Sequence, residues 1–409
     1  MTYIDKPTIQ FDISNMSAFG TLETAELTPV MQGDFVFGLN TQIWKTPVVS
    51  GAGATVDTDA GRLRIQCGTD AAGYAYIESK QPIKYRAGQG ILVRKTPIFS
   101  SGIANNLQAW GAGATVSNAI YDGYFFSYNG TAFGVSHYVR GVAAHTAQTS
   151  WNVDKLDGTA GTAFTLDPTK GTPCMIKYPY LGYGDIEFFF QNPTTGRWVL
   201  CHVIRYANTV VTTQLSNPTM FIIGYTLNTG NTTNKTMYCG SVGAFISGTR
   251  SFVGNPKWRA KNNKSGVTTE TNILALKNAT TYNTVLNRGL IRLTNISVSS
   301  SAAAGIASFD FIINPTLGGT PAYTPVNGST ADNGITITSG NSITSFDIAG
   351  TTITGGYSIF GITVDNPNTE VIDLTPYDLF IAPADIMAIS GTSSNSSQLG
   401  LTINFSEDI

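Results

Sequence analysis

The stretch Tyr121-Asp122-Gly123-Tyr124-Phe125-Phe126-Ser127-Tyr128-Asn129-Gly130-Thr131-Ala132-Phe133-Gly134-Val135 decides the reading of the fold. Tyr124–Tyr128 and Thr131–Val135 are apolar, aromatic arms that flank Asn129-Gly130. That dipeptide tolerates the positive φ angles of a type I′ turn, so the segment reads as an antiparallel hairpin. A second hairpin joins Ile186–Phe190 to Arg197–Ile204 through Gln191-Asn192-Pro193-Thr194-Thr195-Gly196. Pro193 cannot donate to a ladder and belongs in the turn. The heavily apolar arms suggest central strands of a sandwich.

Outward from these hairpins, helical periodicity is almost absent. Short runs alternate apolar and polar residues between Gly, Asn, Pro and Asp. Arg62–Cys67 and Leu401–Phe405 alternate cleanly, which puts one set of side chains on a core face. A chain of 409 residues has room for two or three β domains. Composition shifts near residue 250, where frequent aromatics give way to Thr, Ser and Ile. Residues 1–34 read as an N-terminal arm, 35–252 as a β-sandwich and 253–270 as a linker carrying Lys257, Arg259, Lys261 and Lys264. Residues 271–409 read as a C-terminal β-sandwich. Its strand candidates are Ile273–Leu276, Gly289–Val298, Ser308–Ile313, Ile335–Thr338, Ser345–Ile348, Tyr357–Val364, Asp385–Ser390 and Gly400–Ser406. The expected fold is all-β: a jelly-roll or concanavalin-like sandwich followed by a second, smaller one.

Charged residues make up 12% of the chain, against roughly 25% in an average globular protein. A net charge of -2 shows no footprint for nucleic acid or anionic membrane. Hydrophobic residues at 42% exclude wholesale disorder. No apolar run approaches a membrane span. The start, MTYIDKPTIQFD, lacks a basic n-region and an apolar h-region, so no signal peptide is expected and synthesis and assembly are expected in a cytoplasm. Cys67, Cys174, Cys201 and Cys239 form no C-x-x-C pair and read as buried, reduced thiols.

Residues that carry chemistry are sparse. His137, His145 and His202 show no metal-ligand spacing. Val56-Asp57-Thr58-Asp59-Ala60-Gly61 resembles half of a calcium loop but lacks the later bidentate Glu, so it reads as a plain turn. Asp185 and Glu187 share a strand face at the place where β-jelly-roll glucanases carry E-x-D-x-x-E; the third acid is missing here. No G-x-S-x-G elbow occurs, and no Ser is expected near a plausible His. Gly51-Ala52-Gly53-Ala54 and Gly111-Ala112-Gly113-Ala114 read as flexible loops, since no phosphate-binding pattern accompanies them. Trp110, Tyr121, Tyr124 and Tyr183 are conceivable stacking platforms for sugar, although core packing is the ordinary role of such residues. The expectation is a non-enzyme with no catalytic, cofactor or metal residues and with its ligand-binding residues unassigned.

The pattern of Tyr121–Val135 resembles virion structural proteins of tailed bacteriophages, with relatives in some large DNA viruses. The likeness continues through Leu166–Gly171, Tyr178–Phe188, Asn192–Gly196, Tyr206–Asn208, Leu215–Thr219 and Asn228–Asn234, covering roughly residues 35–250. In the C-terminal half, Asn287–Leu293, Asn314–Leu317 and Leu379–Ile389 are similar to elements of the same proteins; Ala384 stands where the pattern has Gly. The resemblance implies a fibre, spike or capsid-decoration protein of the virion, a homotrimer docked on capsid or tail proteins. It brings no catalytic residues. The alternative expectation is a glycan-binding receptor-recognition protein, and a weaker one a polysaccharide-degrading spike.

Overall fold

Period-two patterning becomes paired strand nearly throughout. The computed structural model describes residues 27–250, 255–301, 304–326 and 342–409. The chain divides into two compact units, Met1–Ser251 and Phe252–Ile409. In the first unit the strands are β1 (Leu27–Asp34), β2 (Val48–Ser50), β3 (Ala54–Asp59), β4 (Arg62–Cys67), β5 (Tyr74–Glu78), β6 (Ile91–Ile98), β7 (Asn106–Val116) and β8 (Ala119–Asn129). They continue as β9 (Ala132–Val139), β10 (Val142–Ala147), β11 (Cys174–Tyr178), β12 (Ile186–Gln191), β13 (Trp198–Ile204), β14 (Phe221–Asn228) and β15 (Thr236–Ser247). One sheet runs β13-β12-β11-β6-β15-β4-β3, with β1 also paired to β15; the other runs β10-β9-β8-β7-β14-β5-β2.

The two sheets enclose one core. Trp110, Tyr124 and Phe126 of the second sheet belong to the same buried cluster as Ile65, Val93 and Phe188 of the first. The Phe126 ring lies 5.4 Å from Phe188 and 4.6 Å from Phe190. Each such side chain taken from water contributes roughly 1.5–3 kcal/mol. All four cysteines are buried and free. The expectation of an all-β chain with a jelly-roll or concanavalin-like sandwich is borne out.

Several local expectations change. The first hairpin turns one residue later than expected. Asn129 pairs with Ala132, so Gly130-Thr131 is the two-residue loop. Of those two only Gly130 has positive φ, at 63°, the pattern of a type II′ turn rather than I′. The second hairpin, β12–β13, lies at the end of its sheet and is not central. Its turn is held by Asn192, whose Oδ1 accepts from the backbone N–H groups of Thr194 and Thr195. Gly111–Ala114 is no loop; it lies within β7. Its glycines are needed there, because a Cβ on Gly113 would come within 2.5 Å of the Phe125 ring.

The terminal arm and the linker also read differently. Residues 1–26 lie outside the described residues, but Leu27–Asp34 is a ladder strand of the sandwich. The expected linker holds an eleven-residue edge strand, Lys257–Val267, paired with Ser397–Asp408. Lys257, Arg259 and Lys261 face solvent there while Ala260 is buried. Charge on an edge strand discourages edge-to-edge pairing with other chains.

In the second unit one sheet joins Lys257–Val267, Ser397–Asp408, Leu290–Ser300 and Asn368–Asp373, with Phe380–Ile381 at its side. The other joins Thr324–Pro325, Thr344–Asp347, Thr271–Asn278, Ile386–Ser393, Ile306–Ile313 and Tyr357–Asp365. Leu293, Ile403 and Phe405 of the first sheet share a core with Leu274, Phe309 and Ile389 of the second. The expected strand Ile335–Thr338 lies outside the described residues. Ala384 occupies the left-handed region, φ 72°. That conformation costs a residue with a Cβ roughly 1–2 kcal/mol. Ala384→Gly is therefore expected to stabilise the second unit by about 0.5–1 kcal/mol after the entropy of glycine in the unfolded chain is deducted. Calorimetric melting of the full chain reads this as a higher transition for that unit, and an unchanged or lower one contradicts it.

Candidate functional site

The residues singled out from sequence do not converge. Trp110 and Tyr124 are wholly buried in the core. The Tyr124 hydroxyl donates to Gln214 Oε1 at 2.7 Å. Tyr183 is exposed, with its hydroxyl on the Val211 carbonyl, and Tyr121 is half-buried. Asp185 lies 4.0 Å from Arg205, and Glu187 pairs across the ladder with Lys177. Burial raises the Glu187 carboxyl above its usual range, and Lys177 opposes that shift. Asp57 forms two 2.7 Å bonds to Arg64 and Asp59 contacts Arg62, so these acids serve the β3–β4 pair. Among the described residues no group of three or more His, Cys, Asp or Glu could hold a metal ion. No described helix is long and apolar enough to cross a membrane.

The histidines serve packing. His137 Nε2–H donates to the Gln214 carbonyl at 2.6 Å, and its Nδ1 accepts from the Tyr206 hydroxyl. His202 Nδ1 accepts from the Asn152 N–H. His145 departs from the sequence reading, which saw no Ser near a plausible His. Strand register brings Ser136 Oγ to 3.0 Å and Ser127 Oγ to 3.4 Å from its Nδ1. Both serines are buried, and among the described residues His145 has no carboxylate partner. The cluster is a hydrogen-bonded cross-strand group that lacks the third, orienting member of a nucleophilic triad.

A groove of about 800 Å³ lies instead on the face of the first sheet turned away from the core. That size falls within the range of small-ligand sites. Its floor is Arg94 and Thr96 of β6 with Ser241, Gly243 and Phe245 of β15. Trp198, at the start of β13, and Pro173 line another side. Gln32 and Asp34 of β1 complete it, with the loop that follows. In that loop Phe35 is buried against Trp44, ring centroids 5.5 Å apart, while Phe37 is wholly exposed at the groove. Asp34 Oδ1 accepts from the Val36 N–H and Asn40 Oδ1 from the Gln42 N–H, which braces the loop at both ends. Gly243 has a reason to be glycine, since a Cβ there would meet the Phe245 ring at 2.9 Å.

The groove thus combines three aromatic rings, Phe37, Trp198 and Phe245, with hydroxyl, amide, guanidinium and carboxylate groups. Rings present flat apolar faces, and the polar groups can donate to and accept from hydroxyls. Among the described residues Asp34 is the single acid that lines it.

No family model matches the chain, and no curated protein does. Solved structures similar to it include the VIP36 exoplasmic/lumenal domain in its Ca2+/Man3GlcNAc-bound form, at 10% identity and TM-score 0.36, covering 56% of this chain and 92% of that one. A lectin from Bauhinia forficata in complex with GalNAc matches at 14% identity and TM-score 0.33, covering 54% and 99%. A Bacillus licheniformis β-glucanase matches at 12% identity and TM-score 0.32, again covering 54% and 99%. Likenesses of this strength carry no argument about what the chain binds.

Burial lowers the imidazoles of His137, His145 and His202 below their ordinary value; hydrogen bonds to backbone oppose this at the first two, and Arg205 adds to it at the third. All three lie in the first unit. The unfolded chain therefore takes up these protons first as pH falls, and stability is lost below about pH 6.5. The raised Glu187 carboxyl works the other way, one group against three. Urea unfolding followed by tryptophan fluorescence is expected to show lower stability at pH 5.5 than at pH 7.5. Trp44, Trp110, Trp151 and Trp198 report on this unit. Equal or greater stability at the lower pH contradicts the assignment.

Proposed function

We propose that this chain is a glycan-binding protein and that the groove between β1, β6, β15 and β13 is its binding site. The observation that carries the reading is the pairing of three groove aromatics with a ring of short polar side chains on a rigid sheet. Sugar rings stack their C–H faces on aromatic rings, and their hydroxyls seek planar amides, carboxylates and guanidinium groups. Phe37 and Trp198 are exposed enough to meet such a ligand without rearrangement of the core. Low overall charge leaves selectivity to these local contacts.

Screening the purified chain on a glycan array is expected to give a defined set of bound sugars. Trp198→Ala and Phe245→Ala each lower the affinity at least roughly tenfold, a loss of about 1.4 kcal/mol or more. Tyr183→Ala, outside the groove, leaves it unchanged. An array with no bound sugar, or groove variants that bind as well as the parent, overturns the proposal.

A second reading concerns where this recognition takes place. The sequence resemblance over roughly residues 35–250 favours the surface of a virus particle, with the chain as a self-associating fibre, spike or decoration protein. Its low-charge, hydroxyl- and amide-rich composition suits close packing of identical copies without like-charge repulsion. Antibody labelling of intact particles in the electron microscope is expected to decorate their surface, and light scattering of the purified chain to give a trimer. A monomer at high concentration that is missing from particles removes this reading and leaves the glycan site untouched.

A further inference from the structure

We infer that the ligand of this groove carries an anionic group, a carboxylate or a sulfate, and that Arg94 is the residue that binds it. The inference deepens the glycan reading and rests on it. Ladder register sets a row of side chains across the sheet: Gln32, Gly243, Arg94, Met175, Phe189 and Leu200. Arg94 is the charged member of that row. On one side it has Gly243, over which the Phe245 ring lies. On the other it has the apolar Met175 and Phe189, both fully buried.

The guanidinium carbon lies 5.8 Å from the centroid of Trp198 and 5.7 Å from that of Phe245. Two rings hold it in place, and their faces supply only a weak attraction in return. Its Nε is buried and has no hydrogen-bond acceptor. A buried donor without a partner costs roughly 1–3 kcal/mol, and more when charged. Four other arginines have carboxylates: Arg64 has Asp57, Arg62 has Asp59, Arg205 has Asp185 and Arg292 has Asp378 and Asp408. Arg94 has none among the described residues.

The charged groups nearby do not supply what is missing. Asp34 lines the same groove, but its Oδ1 is engaged by the Val36 N–H and it forms no ion pair with Arg94. Lys95, the next residue, places its ammonium 5.3 Å from the ring of Phe126, in the sandwich core. Lys177 and Glu187 pair with each other one row further along β11 and β12. A guanidinium is a planar fork that matches the two oxygens of a carboxylate or a sulfate. One such group in the groove would accept from the two terminal nitrogens together while the sugar ring stacks on Trp198 or Phe245.

The test uses the full chain and four probes in titration calorimetry: an oligo-uronate, its carboxyl-reduced form, a sulfated oligosaccharide and its desulfated form. At least one acidic probe is expected to bind roughly tenfold or more tighter than its neutral partner, and the pair that shows this identifies the anion. Arg94→Met removes the preference while neutral-sugar binding persists, which also shows that the variant is folded. Arg94→Lys keeps part of it, since charge remains without the fork. Equal binding of acidic and neutral probes, or an unchanged preference in Arg94→Met, overturns this inference and leaves the glycan reading standing. Binding of no probe and no array sugar overturns the glycan reading itself.

Discussion

The packing of Phe126 against Phe188 and Phe190 is the contact on which the rest of the first unit depends. It joins one sheet to the other, with ring centroids 5.4 and 4.6 Å apart. Side chains alternate along a strand, so fixing these rings inward fixes every neighbour outward. On β12 that turns Phe189 to the outer face, where it clusters with Leu92 and Met175 and is flanked by Trp198, Leu200 and Phe245. The groove is a consequence of the core: a slip of one residue would exchange its lining for core residues.

The outer face differs from the core in how it is finished. Inside, rings fill space completely. Outside, small residues let rings fold back onto the sheet, as Gly243 does for Phe245 and Gly111 and Gly113 do for Phe125. The Phe245 ring stays partly accessible at the groove, whereas Phe125 is covered completely on the other sheet.

Fold class was legible because alternation and turn residues are local signals. The β8–β9 hairpin was readable to within one residue, from its aromatics and Gly130. Errors arose where a local signal had a non-local cause. Gly111–Ala114 looks like a loop, yet its glycines answer to Phe125 on the neighbouring strand. The cationic run from Lys257 looks like a linker, yet alternate positions there are buried or half-buried, and charge on the others suits an edge. The Ser127–Ser136–His145 cluster is spaced by nine residues each time, a regularity that becomes contact only through hairpin register. The groove was the least legible feature. Phe37, Arg94, Trp198 and Phe245 come from four separate stretches, and no spacing rule links them before the order β13-β12-β11-β6-β15 is known.

Adjacent residues on β6 show what a sparsely charged chain does with a cation that has no partner. Lys95 and Arg94 point to opposite faces, and among the described residues neither has a carboxylate. Burial lowers the Lys95 amine to about 8, which eases the loss of the charge that the core disfavours. The ring centroids of Trp198 and Phe245 lie 5.8 and 5.7 Å from the Arg94 guanidinium carbon. Its Nε has no acceptor among the described residues, and the inferred anion is what would meet this charge.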